Sequence, residues 1–155
     1  MSKQEEKRKE VDTRFKRQVC FPLYLCAKEL TGRYNEVLKE FDLTYTQYIV
    51  MNYFWTVGKS NLKDIANAIM LDASTLTPLL KKLEAKGLVE KKHSQKDKRN
   101  LEIILTPKGE ALRDKTLDVP ERVVQTLNVK REDGILLHDL TKHLIDALRE
   151  GEKKE

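Results

Sequence analysis

Apolar residues recur along most of this chain at three- and four-residue spacing, so it reads as a series of amphipathic helices broken once by a polar hairpin. Phe21, Tyr24, Ala27, Leu30 or Thr31, Tyr34, Leu38 and Phe41 share one stripe. Proline is tolerated only in the first turn of a straight helix, so Pro22 places the start of this one close to Cys20. Thr44-x-x-Gln47 is a capping box that opens a second helix through Tyr48, Val50, Met51, Phe54 and Trp55, and Gly58 ends it. Asn61 caps a short third helix carrying Leu62, Ile65, Ala66 and Ile69. Met70-Leu71-Asp72 interrupts the pattern, with Asp72 or Ser74 available to cap a fourth helix. That helix turns Leu76, Leu79, Leu80 and Leu83 inward and Ser74, Thr75, Thr77, Lys81 and Lys82 outward. Gly87 followed by Leu88 suits a Schellman cap.

The period then changes. Residues 88–91 and 101–105 read as two short strands, the second with Leu101, Ile103 and Leu105 on one face. Beyond them, Thr106-Pro107 opens a helix bearing Ala111, Leu112, Val119, Val123 and Leu127, with a kink expected at Pro120. A last helix from about residue 132 carries Leu136, Leu137, Leu140, Leu144, Ile145 and Leu148. Two helices across a short turn, followed by a hairpin, predict a mainly α (α+β) winged helix-turn-helix. The expected organisation is one domain over residues 1–155. Within it, 44–106 form the DNA-binding part with its wing at 88–105, and helices at about 18–42 and 107–150 form a dimerisation region.

Charge sharpens the picture. Between Lys91 and Arg99 five basic residues, Lys91, Lys92, Lys96, Lys98 and Arg99, face one acid, Asp97. A basic hairpin beside a helix with a hydroxyl- and lysine-bearing face suits double-stranded DNA, whose phosphates need cations and whose bases need donors and acceptors. The apolar surplus on the first and last helices exceeds what one small winged domain can cover, so a homodimer is expected. It would set two reading helices about 34 Å apart on a roughly palindromic operator.

Composition bounds the rest. The 155 residues suffice for a core, and 30 basic against 25 acidic residues give a net charge of +5. No run of about 18 apolar residues predicts a membrane span. The charged first 17 residues lack the apolar core of a signal peptide, so a cytoplasmic location is expected. Cys20 and Cys26 cannot build a disulfide framework. His93, His138 and His143 have no metal-ligand spacing, and no phosphate loop or nucleophile elbow is present. A regulator without metal or cofactor, rather than an enzyme, is the expectation.

Asp97-Lys98-Arg99 in the wing and the run LDASTLTPLLKKLEAKGLVEKK resemble the MarR family of bacterial transcription regulators. Within it, CFPLY at 20–24, LTYTQY at 43–48 and DASTLTP at 72–78 are similar to the organic hydroperoxide resistance repressors and their single-cysteine relatives. The resemblance runs from about Gln18 to the last helix, where it rests on layout more than motif. It implies that Cys20 is the peroxide-reactive thiol. Tyr34 and Tyr45 would hydrogen-bond it across a dimer interface, and Tyr24 would line the same pocket. Arg99 would enter the minor groove with Asp97 orienting it, flanked by Lys96 and Lys98. Ser74, Thr75, Thr77 and Lys81 would face the major groove, and Lys82 would reach phosphate.

The residues themselves give Cys20 a reason to react. A thiol attacks peroxide as its thiolate, and the unpaired N–H groups and positive dipole of a first helical turn favour that form. Cys26, about 240° further round the helix, points elsewhere and reads as packing. With no resolving cysteine near the C-terminus, oxidation should run to a sulfenic acid, then to a mixed disulfide with a small cellular thiol, or irreversibly to a sulfinic acid. The reading is a repressor that senses organic hydroperoxide through Cys20 and then releases its operator. Two alternatives stay open. One is a regulator of the same fold that answers to a small phenolic or hydrophobic ligand, with Cys20 structural; the other is a thiol peroxidase.

Overall fold

The computed structural model describes residues 18–93 and 101–152. Its contacts divide the chain into two compact units, 1–123 and 124–155. In the first, α1 (Cys20–Leu38) runs into a 3-10 turn (Lys39–Phe41), followed by α2 (Tyr45–Val57), β1 (Lys59–Asn61), α3 (Leu62–Ile69) and α4 (Ala73–Ala85). Then come β2 (Val89–His93), β3 (Leu101–Leu105), α5 (Pro107–Lys115) and α6 (Val119–Gln125), which reaches the boundary. The second unit holds α7 (Arg131–Glu152).

The cap residues explain why the helices start where they do. The Thr44 hydroxyl accepts from the Gln47 amide at 3.3 Å, while Gln47 Oε1 accepts from the Thr44 amide at 3.2 Å. The box satisfies two donors that would otherwise have no partner. Asn61 Oδ1 accepts from the Asp64 amide at 2.9 Å, and Thr106 Oγ1 from the Gly109 amide at 3.0 Å. At the end of α4, Gly87 takes φ +69°. The Leu88 amide reaches the Leu83 carbonyl at 3.0 Å and the Gly87 amide reaches Glu84 at 2.8 Å, the paired bonds of a Schellman cap.

Leu38, Tyr48, Val50, Met51, Phe54, Ile65, Leu76, Leu80, Leu83, Val89, Ile103 and Val119 make one buried cluster. It seats α4 against α2, α3 and the sheet, which fixes the outer face of α4 toward solvent. The sheet is antiparallel in the order β1-β3-β2, with Val89 opposite Leu105 and His93 opposite Leu101.

Four expectations need correction. Lys59-Ser60-Asn61 forms a strand paired with Ile104, Ile103 and Glu102, although three polar residues carry no alternation to announce it. The predicted strand at 88–91 lies at 89–93, because Leu88 serves the helix cap and is itself buried. Of the three strand residues expected on one face, Ile103 is buried, Leu105 is half-buried and Leu101 is exposed. The helix expected to kink at Pro120 is two helices. Thr116 ends α5, its hydroxyl donating to the Leu112 and Arg113 carbonyls, and Pro120 occupies the first turn of α6, where its missing N–H costs nothing.

Candidate functional site

Two regions carry the sequence-derived candidates. The first is the outer face of α4. Ser74, Thr75, Thr77, Lys81 and Lys82 are all exposed, and Leu76, Leu79, Leu80 and Leu83 are buried, as the periodicity requires. Asp72 rather than Ser74 holds the N-cap position; its carbonyl accepts from the Thr75 and Leu76 amides, and its side chain makes no cap bond. Thr77 Oγ1 donates to the Ala73 carbonyl at 2.7 Å, so its hydroxyl proton is spent within the helix. Its acceptor lone pairs and methyl group remain for an outside partner. Pro78 also lies exposed on this face. It lacks an amide, so the Ser74 carbonyl has no partner four residues on, a feature that the apolar periodicity of this helix does not signal.

Beside α4 rises the hairpin. Lys91 Nζ pairs with Glu84 Oε2 of α4 at 2.9 Å, and Lys92 pairs with Glu90. Both lysines are strand residues with acidic partners, and of the two the Lys91 pair ties the hairpin to α4, while the Lys92 pair stays within β2. The Lys91 hydrogen bond, against an opposing effect of burial, holds the Glu84 carboxyl below its ordinary range. Lys96, Asp97, Lys98 and Arg99 lie outside the described residues. Between α4 and the sheet runs an open groove of about 890 Å³ with Tyr53, Leu62, Thr77, Leu80, Leu101 and Ile103 among its walls.

The second region is α1. Cys20 is its first residue and is exposed, its Sγ 3.9 Å from Gln18 Oε1. Tyr24 is 63% exposed. Cys26, expected to pack, is exposed as well, because only the C-terminal half of α1 leans on this chain's core. There Tyr34 lies tilted against Tyr45 with ring centroids 4.8 Å apart, and Tyr48 stacks on Tyr34 at 6.3 Å. The Tyr45 amide donates to Asn35 Oδ1 at 2.7 Å, which fixes α2 against α1 at this point. Burial, then the neighbouring Tyr45 and Tyr48, raises the Tyr34 phenol above its ordinary range, so it stays a hydrogen-bond donor. The structure thus brings the two tyrosines together. It does not bring Cys20 to them within one chain, since fourteen residues of helix span about 21 Å. Among the described residues no three His, Cys, Asp or Glu side chains gather as a metal site. Among the described residues no helix is long and apolar enough to cross a membrane.

Residues 33–116 match the family of the transcriptional regulators SarA and Rot. The chain belongs to the SarA/Rot family. The HTH-type transcriptional regulator SarZ of Staphylococcus saprophyticus is 38% identical over 137 residues, 88% of this chain and 94% of that one. Overoxidised AbfR bound to DNA superimposes with a TM-score of 0.69 at 32% identity, covering 90% of this chain and 98% of AbfR. The reduced form of MarR from E. coli, at 21% identity and a TM-score of 0.67, shares the winged helix-turn-helix fold. This member of the SarA/Rot family is therefore a DNA-binding transcriptional regulator of MarR-like architecture, and its relatives are regulators rather than enzymes.

Proposed function

We propose that this regulator works as a homodimer, binds operator DNA through α4 and the wing, and senses organic hydroperoxide at Cys20. The observation that carries the redox part is the separation within α1. An exposed thiol opens the helix, and a half-buried tyrosine pair, with Tyr34 held protonated, stands about 21 Å away at its other end. A second chain running the other way would bring each thiol to its partner's phenols. The exposed apolar residues Val19, Tyr24 and Leu25 on and beside α1, and Ile135, Leu136 and Leu140 on α7, offer the surface for it. In this reading residues 18–42 and 107–150 build the dimer, and residues 44–106 meet DNA. Ser74, Thr75, Thr77 and Lys81 address bases, while Lys82, Lys96, Lys98 and Arg99, the last oriented by Asp97, address the backbone and minor groove.

The Cys20 thiolate attacks the distal peroxide oxygen, the O–O bond breaks, and the alkoxide leaves as an alcohol after taking a proton. The sulfenic acid then condenses with a small thiol, releasing water and leaving a mixed disulfide. AbfR has been solved on DNA in both its reduced and its overoxidised forms. By analogy a sulfinate on Cys20 is too small to force release, and the bulkier mixed disulfide is the releasing state. In mechanism the protein then stands beside the single-cysteine peroxide sensors.

The test is fluorescence anisotropy on a duplex from the chain's own promoter region, with one equivalent of cumene hydroperoxide and a small thiol. Wild type should release DNA and Cys20→Ser should stay bound. If both stay bound, the peroxide reading is wrong while DNA binding stands. The groove beside α4 then favours a second reading, in which a small phenolic ligand between reading helix and sheet competes with DNA.

A further inference from the structure

Lys86 caps the end of α4, and nothing in the sequence marks it apart from the lysines around it. Its side chain is 26% exposed, and its ammonium is held by three acceptors on the corner between α1 and α2. These are the Asp42 main-chain carbonyl, the Asp42 carboxylate at 3.1 Å, and Gln47 Oε1 at 3.3 Å. Gln47 is 4% exposed and is the third residue of α2, where it closes the capping box with Thr44. Asp42 sits in the left-handed region at φ 52°, where it ends the 3-10 turn that follows α1. The exposed Asp42 carboxylate adds little, as surface pairs do. The hold lies in the hydrogen bonds to the Asp42 main-chain carbonyl and to the part-buried Gln47 amide oxygen. The Lys86 carbonyl in turn accepts from Lys108 Nζ of α5 at 2.7 Å.

Lys82, one turn earlier, differs. It is exposed and makes no ion pair among the described residues, so it is free to meet a phosphate. Lys86 gives two of its three N–H donors to the Asp42 carbonyl and Gln47 Oε1 and turns its charge to the Asp42 carboxylate, so it is engaged on this chain where Lys82 is not.

We propose that Lys86 is the positioning residue that locks the reading helix to the α1–α2 corner. Through it, any displacement of α1 changes the angle at which Ser74, Thr75 and Thr77 present themselves. α1 is a lever about 28 Å long, with Cys20 at one end and the corner that Lys86 grips at the other. This deepens the function proposed above and rests on it for where the signal arrives and which helix reads DNA.

The experiment measures anisotropy on the promoter duplex at several salt concentrations, using reduced wild type, Lys86→Met, Lys86→Arg and Lys82→Met. The methionine keeps the packed stem, and the fluorescence melt of Trp55 confirms that each variant is folded. Lys82→Met should reduce the salt slope by about one, the mark of a lost phosphate contact. Lys86→Met should weaken binding roughly two- to thirty-fold with the slope unchanged, and Lys86→Arg should recover most of the loss. Adding cumene hydroperoxide and thiol should change the affinity of Lys86→Met by a smaller factor than that of wild type.

A slope lowered by one in Lys86→Met would make the residue a phosphate contact and overturn the proposal. So would an affinity equal to wild type, or an undiminished oxidation response. If wild type binds DNA but ignores peroxide, the peroxide reading fails, and the salt-slope comparison still decides the role of Lys86. A wild type that binds no DNA overturns both.

Discussion

Gly109 illustrates how a single position can invert a general rule. Glycine inside a helix costs roughly 0.5–1 kcal/mol relative to alanine, so replacing one should stabilise. In α5, however, a Cβ on residue 109 would stand 2.2 Å from the Leu88 carbonyl oxygen and 2.7 Å from Leu105 Cδ1. Its carbonyl also accepts from Trp55 Nε1 at 2.9 Å, which holds α2 close. A clash with main chain cannot be relieved by a rotamer change, so overpacking wins over propensity. Gly109→Ala is expected to lose about 1–3 kcal/mol, seen as a lower thermal midpoint. Gly134→Ala in α7, with nothing within 4 Å, should gain about 0.5–1 kcal/mol. A stabilised Gly109→Ala would mean that the close approach of α5 to Leu88 does not exist in solution. Neither effect was legible in the sequence, because the contact is tertiary. The place of Cys20 was legible, because Pro22 fixes a helix start by local sterics alone.

The same division holds for elements. Every helix whose start is set by its own side chains lies where expected: Thr44 with Gln47, Asn61, and Thr106 before Pro107 each cap the helix they were assigned to. β1 escaped notice because its pairing is dictated by β3 and not by its own three polar residues. The break at Thr116–Asp118 escaped because a proline reads equally well as a kink or as the first turn of a new helix. The caps also differ in strength in a way that can be measured. Thr44→Ala removes the hydroxyl that accepts from the Gln47 amide, leaves the main-chain half of the box in place, and should cost about 1 kcal/mol, read as a lower denaturant midpoint at unchanged slope. Asp72→Ala removes a side chain that makes no cap bond and should cost clearly less. Equal losses would show that the Asp72 carboxylate acts on α4 by a route other than capping.

At the scale of the whole molecule the decisive feature is apolar surface left in water. On α7, Ile135, Leu136, Leu140, Leu144, Ile145 and Leu148 are all exposed in the single chain, with Leu136 at 59%. A monomer that kept this face in water would forgo about 25 cal/mol for each Å² it could bury, and soluble monomers rarely leave such patches uncovered. The first and last helices carry that surplus visibly in their spacing of apolar residues, so the expectation of a dimer follows from periodicity alone. The protein should therefore sediment as a dimer, and its thermal midpoint should rise with protein concentration, since association stabilises by mass action. Leu140→Glu places a charge in the middle of the α7 face, on a residue that is 58% exposed in the single chain. It should shift the sedimenting species toward monomer and weaken operator binding, because two reading helices held at one DNA turn bind together and a single one does not. The reduced monomer should also leave Cys20 in open solvent, unable to reach Tyr34 or Tyr45, so its reactivity toward hydroperoxide should fall along with dimerisation. A wild type that sediments as a monomer at operator-binding concentrations would sever the thiol from the tyrosines and leave the redox mechanism without a site.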